Sequence, residues 1–276
     1  MRPELRPRRI PKPSIRRPAV VLFLAAAGAL TVAGIALAAA SSTSSFSVRC
    51  DGRALPRKCP QSTYTKARLN IHTHTSYTNP GGPNGGKTKR IQMFFDNDFR
   101  FDPSVTPRCD PNLLFGRDMA GAMANCGASI IGSGTGQAVT SSTTIHACAL
   151  LFNGINDGNG DPQVDLYFRL STVSTISCAD PVNNHEGNTT VVLLGTLRTV
   201  PIGDYRREID IPNLSSVPLP VSDLNLNFTT NSDGITSGYV RARCFDADRV
   251  WNVTTYFTYN DNSTQTVNST RTCTVG

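Results

Sequence analysis

Tyr239 to Cys273 reads YVRARCFDADRVWNVTTYFTYNDNSTQTVNSTRTC and holds the only tryptophan of the chain. From Trp251 onward every second residue suits a core: Val253, Thr255, Phe257 and Tyr259. Asn252, Thr254, Thr258 and Asn260 point the other way, with Tyr256 the one large ring among them. Alternation of this kind makes a β-strand with one buried face, because successive side chains leave opposite sides of the pleat. Asn260-Asp261-Asn262-Ser263 is turn chemistry, since Asn and Asp tolerate left-handed φ and bond their own backbone. Gln265 to Val275 is therefore expected to return antiparallel.

The same period recurs upstream. Ala67, Leu69, Ile71 and Thr73 share one face of a strand over Lys66–Thr75; Lys66, Arg68, Asn70, His72 and His74 share the other. Ile91, Met93 and Phe95 alternate, as do Val164, Leu166, Phe168 and Leu170. Thr190–Val200 is apolar on both faces and reads as a central strand. Arg206–Ile211 is short and reads as an edge strand. Leu224, Leu226 and Phe228 open the last set. Asp118–Asn125 is the one plausible short helix. Residues 79–86, NPGGPNGG, belong in a turn or loop. About ten strands with turn signals between them predict an all-β fold, an antiparallel β-sandwich of Ig-like or jelly-roll-like kind. Its expected bounds are residues 66–276, after a flexible lead-in over 41–65. A division into two domains near Ala179–Asn188 is the alternative.

The N-terminus is of another character. Seven Lys/Arg precede an uncharged run from Ala19 to Ala40, which ends in small residues. Residues 1–40 read as a secretory signal peptide. The run is also long enough to span a bilayer, which takes about 20 residues, so an N-terminal membrane anchor is the second reading. The whole chain has 27 Lys/Arg and 20 Asp/Glu. Without residues 1–40 the balance is 20 against 19, so the basic character belongs to the leader and predicts no nucleic-acid partner. Membrane contact is expected only through residues 19–40, if they are retained.

All eight cysteines follow the leader, and none stands in a C-x-x-C pair. An even count in an exported chain predicts disulfides. Sequential pairing is the expectation: Cys50–Cys59, Cys109–Cys126, Cys148–Cys178 and Cys244–Cys273. Strands two apart in a flat sheet stand about 10 Å apart, beyond the roughly 7 Å reach of a disulfide. A Cys244–Cys273 bridge must therefore cross at the end of the hairpin or between two sheets.

The order CDPNLL…NCGASIIGSGTG, CALLFNG, and GYVRARC…W…TTYFTYND…C resembles a group of uncharacterised secreted actinobacterial β-rich proteins with cysteine motifs. The likeness runs from about residue 66 to the end. Proline often follows the cysteine before the Gly-Ser-Gly segment in that group; here Gly127 follows Cys126. The resemblance implies export and a β-rich fold. It implies no activity, so it assigns no site residues.

Chemistry-bearing patterns are few. Asp157, Asn159, Asp161 and Asp165 fall at positions 1, 3, 5 and 9 of a calcium-loop pattern, where alternate oxygens converge on a hard cation. Pro162 replaces the usual glycine and Phe168 the usual glutamate, so the alternative is a plain polar turn between two strands. His72 and His74 could reach one metal from the same strand face, although Lys66 and Arg68 share that face. There is no G-x-S-x-G elbow, and a Ser/His/Asp set would have to be assembled by the fold. Only Glu186 and Glu208 remain after the leader as glutamates. The expected protein is an exported, non-catalytic β-sandwich with a structural or binding role at the cell envelope or outside the cell, and with no cofactor unless calcium. A cell-wall or extracellular glycan or protein is the expected partner. The alternatives are a calcium-dependent glycan- or surface-binding module and a secreted hydrolase.

Overall fold

In a computed structural model that describes residues 40–51, 58–78, 87–139, 142–171, 189–214, 217, 220–229, 238–245 and 248–276, nearly every element is an antiparallel strand. Residues 1–39, with the predicted signal or anchor segment, lie outside the described residues. Among those described, no helix is long and apolar enough to cross a membrane. Residues Ala38–Gly276 form one compact unit; the alternative boundary, Ala179–Asn188, lies outside the described residues.

The deciding stretch forms the hairpin β13 (Val250–Tyr259) and β14 (Thr264–Thr272), in register from Val250↔Thr272 to Thr258↔Thr264. Trp251, Val253, Thr255, Phe257 and Tyr259 are all buried, as the alternation requires. Asn262 takes the left-handed φ of 63° that the turn needs. The remaining strands are β1 (Ala40–Cys50), β2 (Lys58–Cys59), β3 (Thr65–Tyr77), β4 (Thr88–Asp96), β5 (Phe99–Phe101), β6 (Ile130–Val139), β7 (Thr144–Asn156), β8 (Pro162–Ser171), β9 (Thr189–Ile202), β10 (Tyr205–Ile211), β11 (Val221–Phe228), β12 (Val240–Ala242) and β15 (Thr274–Val275). The main sheet runs β14-β13-β4-β10-β9-β8-β7-β6-β11-β3, with β1 along the far side of β3.

This long sheet folds over into a sandwich-like arrangement around a main core. Inward residues of β1, β3 and β11 (Phe46, Ile71, Leu226) share that core with inward residues of β4, β10 and β13 (Phe95, Ile209, Trp251). Ring contacts such as Phe46–Phe99 and Phe99–Trp251 cross between them. Strands β7 and β8 are buried on both faces, although the outer face of β8 carries Asp165 and Arg169 beside Tyr167. The helix α1 (Met119–Cys126), capped by the Asp118 carboxylate, helps cover their outer side, where Met119 and Ala122 pack with Leu150, Phe152 and Tyr167.

Two expectations need correction. Residues 41–48 are not a flexible lead-in: they form β1, paired with β3 from Ala40↔Tyr77 to Cys50↔Ala67. The sandwich therefore begins at β1, not at residue 66. Serines hid this strand, because inward Ser42 and Ser44 meet polar partners: Ser42 Oγ shares hydrogen bonds with Thr75 Oγ1 (2.8 Å) and Tyr259 Oη (2.7 Å), and Ser44 Oγ with Thr255 Oγ1 (2.9 Å). Nor is β10 an edge. It lies between β9 and β4, and its acidic side chains are met by Arg90, Gln92 and Arg198 of those neighbours.

Two edge strands, β1 and β14, face each other. Gln265 Oε1 accepts from Ser42 N and Gln265 Nε2 donates to Ser42 O, both at 2.7 Å. Ser269 Oγ donates to Ser44 O (2.6 Å) and Arg271 Nε to Phe46 O (3.0 Å). Side chains thus satisfy an edge that would otherwise invite another strand. Gln265→Ala is expected to destabilise by about 1–3 kcal/mol through the two groups left unpaired. Native-state hydrogen exchange checks this: the Ser42 amide should exchange faster in the variant while amides of β8 stay as protected as before.

The disulfides Cys50–Cys59, Cys109–Cys126 and Cys244–Cys273 form as expected, with Cα separations of 5.5, 5.5 and 5.8 Å. Cys148 is also disulfide-bonded; Cys178, its expected partner, lies outside the described residues. Cys244 follows β12, which pairs with β3 and β5, whereas Cys273 follows β14. The bridge therefore ties the two ends of the folded sheet rather than second neighbours within it. Beyond it, β15 runs parallel to β2, with Val275 opposite Cys59.

Candidate functional site

The predicted calcium loop is the turn between β7 and β8. Asp157 Oδ1 accepts from the amides of Asn159 (2.8 Å) and Asp161 (3.0 Å), the bonding of a local turn. Asp161 Oδ2 faces Arg198 Nε at 3.3 Å. Asp165 is inside β8, opposite Phe152 and Leu194, and is 0 % exposed. Neither of its oxygens has a hydrogen-bond partner. Burial, and after it the Asp110 charge, pushes its pKa up to about 7. The fold does not bring the four oxygens together, and among the described residues no group of three or more His, Cys, Asp or Glu is placed to hold a metal ion.

His72 and His74 do share the outer face of β3, and β11 sets a carboxylate beside them through the pairing His74↔Asp223. His72 Nε2 lies 3.1 Å from Asp223 Oδ1, and His74 Nδ1 lies 3.1 Å from Asp223 Oδ2. His74 Nε2 lies 3.1 Å from Ser76 Oγ. The next row is an amide ladder in which Asn70 Nδ2 donates to Asn225 and Asn227 Oδ1, each at 2.6 Å. The carboxylate occupies the space between the imidazoles, so the three side chains make a hydrogen-bonded polar cluster.

The richest polar face lies further along the sheet, on β9, β10, β4 and β13. Ile209 and Ile211 of β10 point inward, so Glu208 and Asp210 point out by strand alternation. Glu208 stands opposite Arg198 and Phe94, and Asp210 opposite Thr196 and Gln92. Arg90 holds Asp210 with two bonds, Nε to Oδ1 at 2.7 Å and Nη2 to Oδ2 at 2.6 Å. Arg198 Nη1 adds a third at 3.1 Å. Gln92 Nε2 donates to Glu208 Oε1 at 2.7 Å. The bonds it donates to Asp210 raise the Arg90 guanidinium above its ordinary pKa, against the opposing effect of burial.

Phe94 and Tyr256 continue the face. Their rings meet edge-on at 5.3 Å and 83°, which fixes a tyrosine that is still 41 % exposed. The result is a rigid surface of paired charges beside an open aromatic ring. Bidentate guanidinium–carboxylate pairs hold both partners in one plane, so donors and acceptors are positioned before a ligand arrives. No protein-family model, curated protein or solved structure matches this chain.

Sequence reasoning passed over this face. Arg90 and Gln92 alternate with Ile91 and Met93, and Glu208 and Asp210 with Ile209 and Ile211. That pattern placed charges outward on apolar strands, but only the β4–β10 pairing shows that they meet. The apolar cavity of the core, lined by Phe168, Leu193 and Leu224 and closed by Leu214 and Val217, offers mainly packing surface.

Proposed function

We propose that this protein is an exported β-sandwich that works at the cell envelope or outside the cell by binding, through the outer face of β9, β10, β4 and β13, a hydroxyl-rich surface such as a cell-wall glycan. The observation that carries the reading is the preorganised Arg90–Asp210–Arg198 and Gln92–Glu208 network beside exposed Tyr256. Tyrosine and arginine are the residues on which binding surfaces concentrate their energy. A ring face takes the C–H side of a sugar, while amides and guanidinium groups held in place by the buried Glu208 and Asp210 exchange hydrogen bonds with its hydroxyls. The disulfides are consistent with an oxidising compartment. Turnover at this face has little support, since both Asp210 oxygens are engaged by arginines.

Co-sedimentation with insoluble cell-wall material tests the reading. The expected result is retention of the wild type in calcium and in EDTA alike, falling by about tenfold or more in Gln92→Ala/Tyr256→Ala. Retention that vanishes in EDTA moves the role to a calcium-dependent site. No retention in either buffer removes the binding reading.

A further inference from the structure

The geometry points to Ser76 as a nucleophile activated by His74 and Asp223, which gives the outer face of β3 and β11 an acyl-transfer activity toward small carboxylic esters. This goes beyond the binding role and lies elsewhere on the sheet, with β9, β8, β7, β6 and β11 between β10 and β3.

The arrangement has the order that nucleophile activation requires. Asp223 lies at 3.1 and 3.2 Å from Nδ1 of His74, and Ser76 Oγ lies at 3.1 Å from Nε2 of the same ring. A carboxylate can only accept, so the Nδ1 of His74 carries a proton. In the neutral ring Nε2 is then the acceptor, and the Ser76 hydroxyl donates to it. That is the tautomer a general base needs. His72 Nε2 bonds the same carboxylate at 3.1 Å and acts as a positioning residue, holding Asp223 beside His74.

Strand geometry explains how this forms. His72, His74 and Ser76 are at two-residue steps and so share one face of β3. The β3–β11 register then puts Asp223 opposite His74. On the other side, β1 places Ser41 opposite Ser76 and Thr43 opposite His74. Ser76 is exposed and the imidazole of His74 is 44 % exposed, so a carbonyl carbon can approach Oγ from solvent. The neighbours are small and hydroxylic, which suits compact esters with good leaving groups rather than long acyl chains.

Atoms balance in two steps. Ser76 Oγ bonds to the carbonyl carbon as its proton passes to His74 Nε2; the C–O bond to the leaving group breaks, and the departing alcohol takes that proton. Water then attacks the acyl-serine, His74 accepts its proton, and the proton returns to Ser76 Oγ as the carboxylic acid leaves. Asp223 stays a carboxylate throughout and stabilises the imidazolium. Open to water, the site is expected to acylate readily and turn over slowly.

A fluorophosphonate reagent tests this on the secreted protein, with intact-mass and peptide mapping as the readout and p-nitrophenyl acetate as the second probe. One adduct on Ser76 is expected, absent in Ser76→Ala. Its rate of formation should fall about a hundredfold or more in both His74→Gln and Asp223→Asn, as loss of a general base or of its tautomer requires. All three sites are on the surface, so the variants should melt with the wild type. No adduct, an adduct on another serine, or a Ser76 adduct formed at the same rate in His74→Gln overturns the inference.

Discussion

Asp165→Asn will melt about 10 °C above the wild type near pH 8 and at almost the same temperature near pH 4.5. The reason is a carboxyl with nowhere to put a charge. Asp165 is fully buried, and neither oxygen is hydrogen-bonded. A Cβ built on Gly154 would stand 2.7 and 2.8 Å from those oxygens, so the backbone of β7 presses directly on them. Burial and the Asp110 charge raise the pKa to about 7, whereas an unfolded aspartate ionises near 3.9. Between those values the folded chain keeps a proton that the unfolded chain has released. Stability therefore falls as pH rises through that window and is level above it. The full loss, at about 1.4 kcal/mol per unit, is on the order of 4 kcal/mol. Asparagine carries no charge at any pH and removes the whole dependence. The check is a pair of thermal melts at each pH; an equal difference between variant and wild type at both would show that Asp165 does not titrate across this window.

Asp165 also marks what was legible in the sequence and what was not. Its place on a strand was plain from Val164, Leu166 and Phe168. Reading it as a cation ligand took the polar turn before it as one loop, whereas the strand turns the carboxyl into the packing between β8 and β7. Alternation succeeded wherever one face was apolar, as at Ala67–Thr73 and Trp251–Tyr259. It failed at SSTSSFSV, because hydroxyls that bond one another fill core positions without apolar character. Arg206–Ile211 reads as an edge because it is short, and nothing local names the partners of its Asp210. Those partners, Arg90 and Arg198, arrive through the register of β4 and β9. His72 and His74 share one face in the sequence pattern, but Ser76 lies just past the strand expected over Lys66–Thr75, and Asp223, about 150 residues further along, needed the β3–β11 pairing. Local period is written in the chain; which strands meet, and in what register, is decided by the closing of the whole sheet.

The other large effect is expected at Asp98, where three parts of the chain are tied together. Asp98 is 0 % exposed. Its Oδ1 accepts from Arg243 Nε at 3.1 Å and its Oδ2 from the Phe245 amide at 2.9 Å. Arg243 is held between the rings of Tyr64 and Phe245, at 4.6 and 4.4 Å. Its carbonyl accepts from the buried Trp251 indole at 2.7 Å, and Cys244 beside it carries the bridge to Cys273. Asp98→Ala leaves a largely buried guanidinium without its counter-charge and an amide without its acceptor. That costs about 3–5 kcal/mol and lowers the melting temperature by roughly 10 °C. Asp98→Asn keeps an acceptor but loses the charge and should fall between. The decisive variant is Asp98→Ala/Arg243→Met, which removes both charges and keeps much of the stem that packs between the rings. If the stranded charge is the source of the loss, the double variant is more stable than Asp98→Ala alone. If its loss instead equals the sum of the two single losses, the ion pair contributes nothing, and the Asp98 bond to the Phe245 amide accounts for the effect.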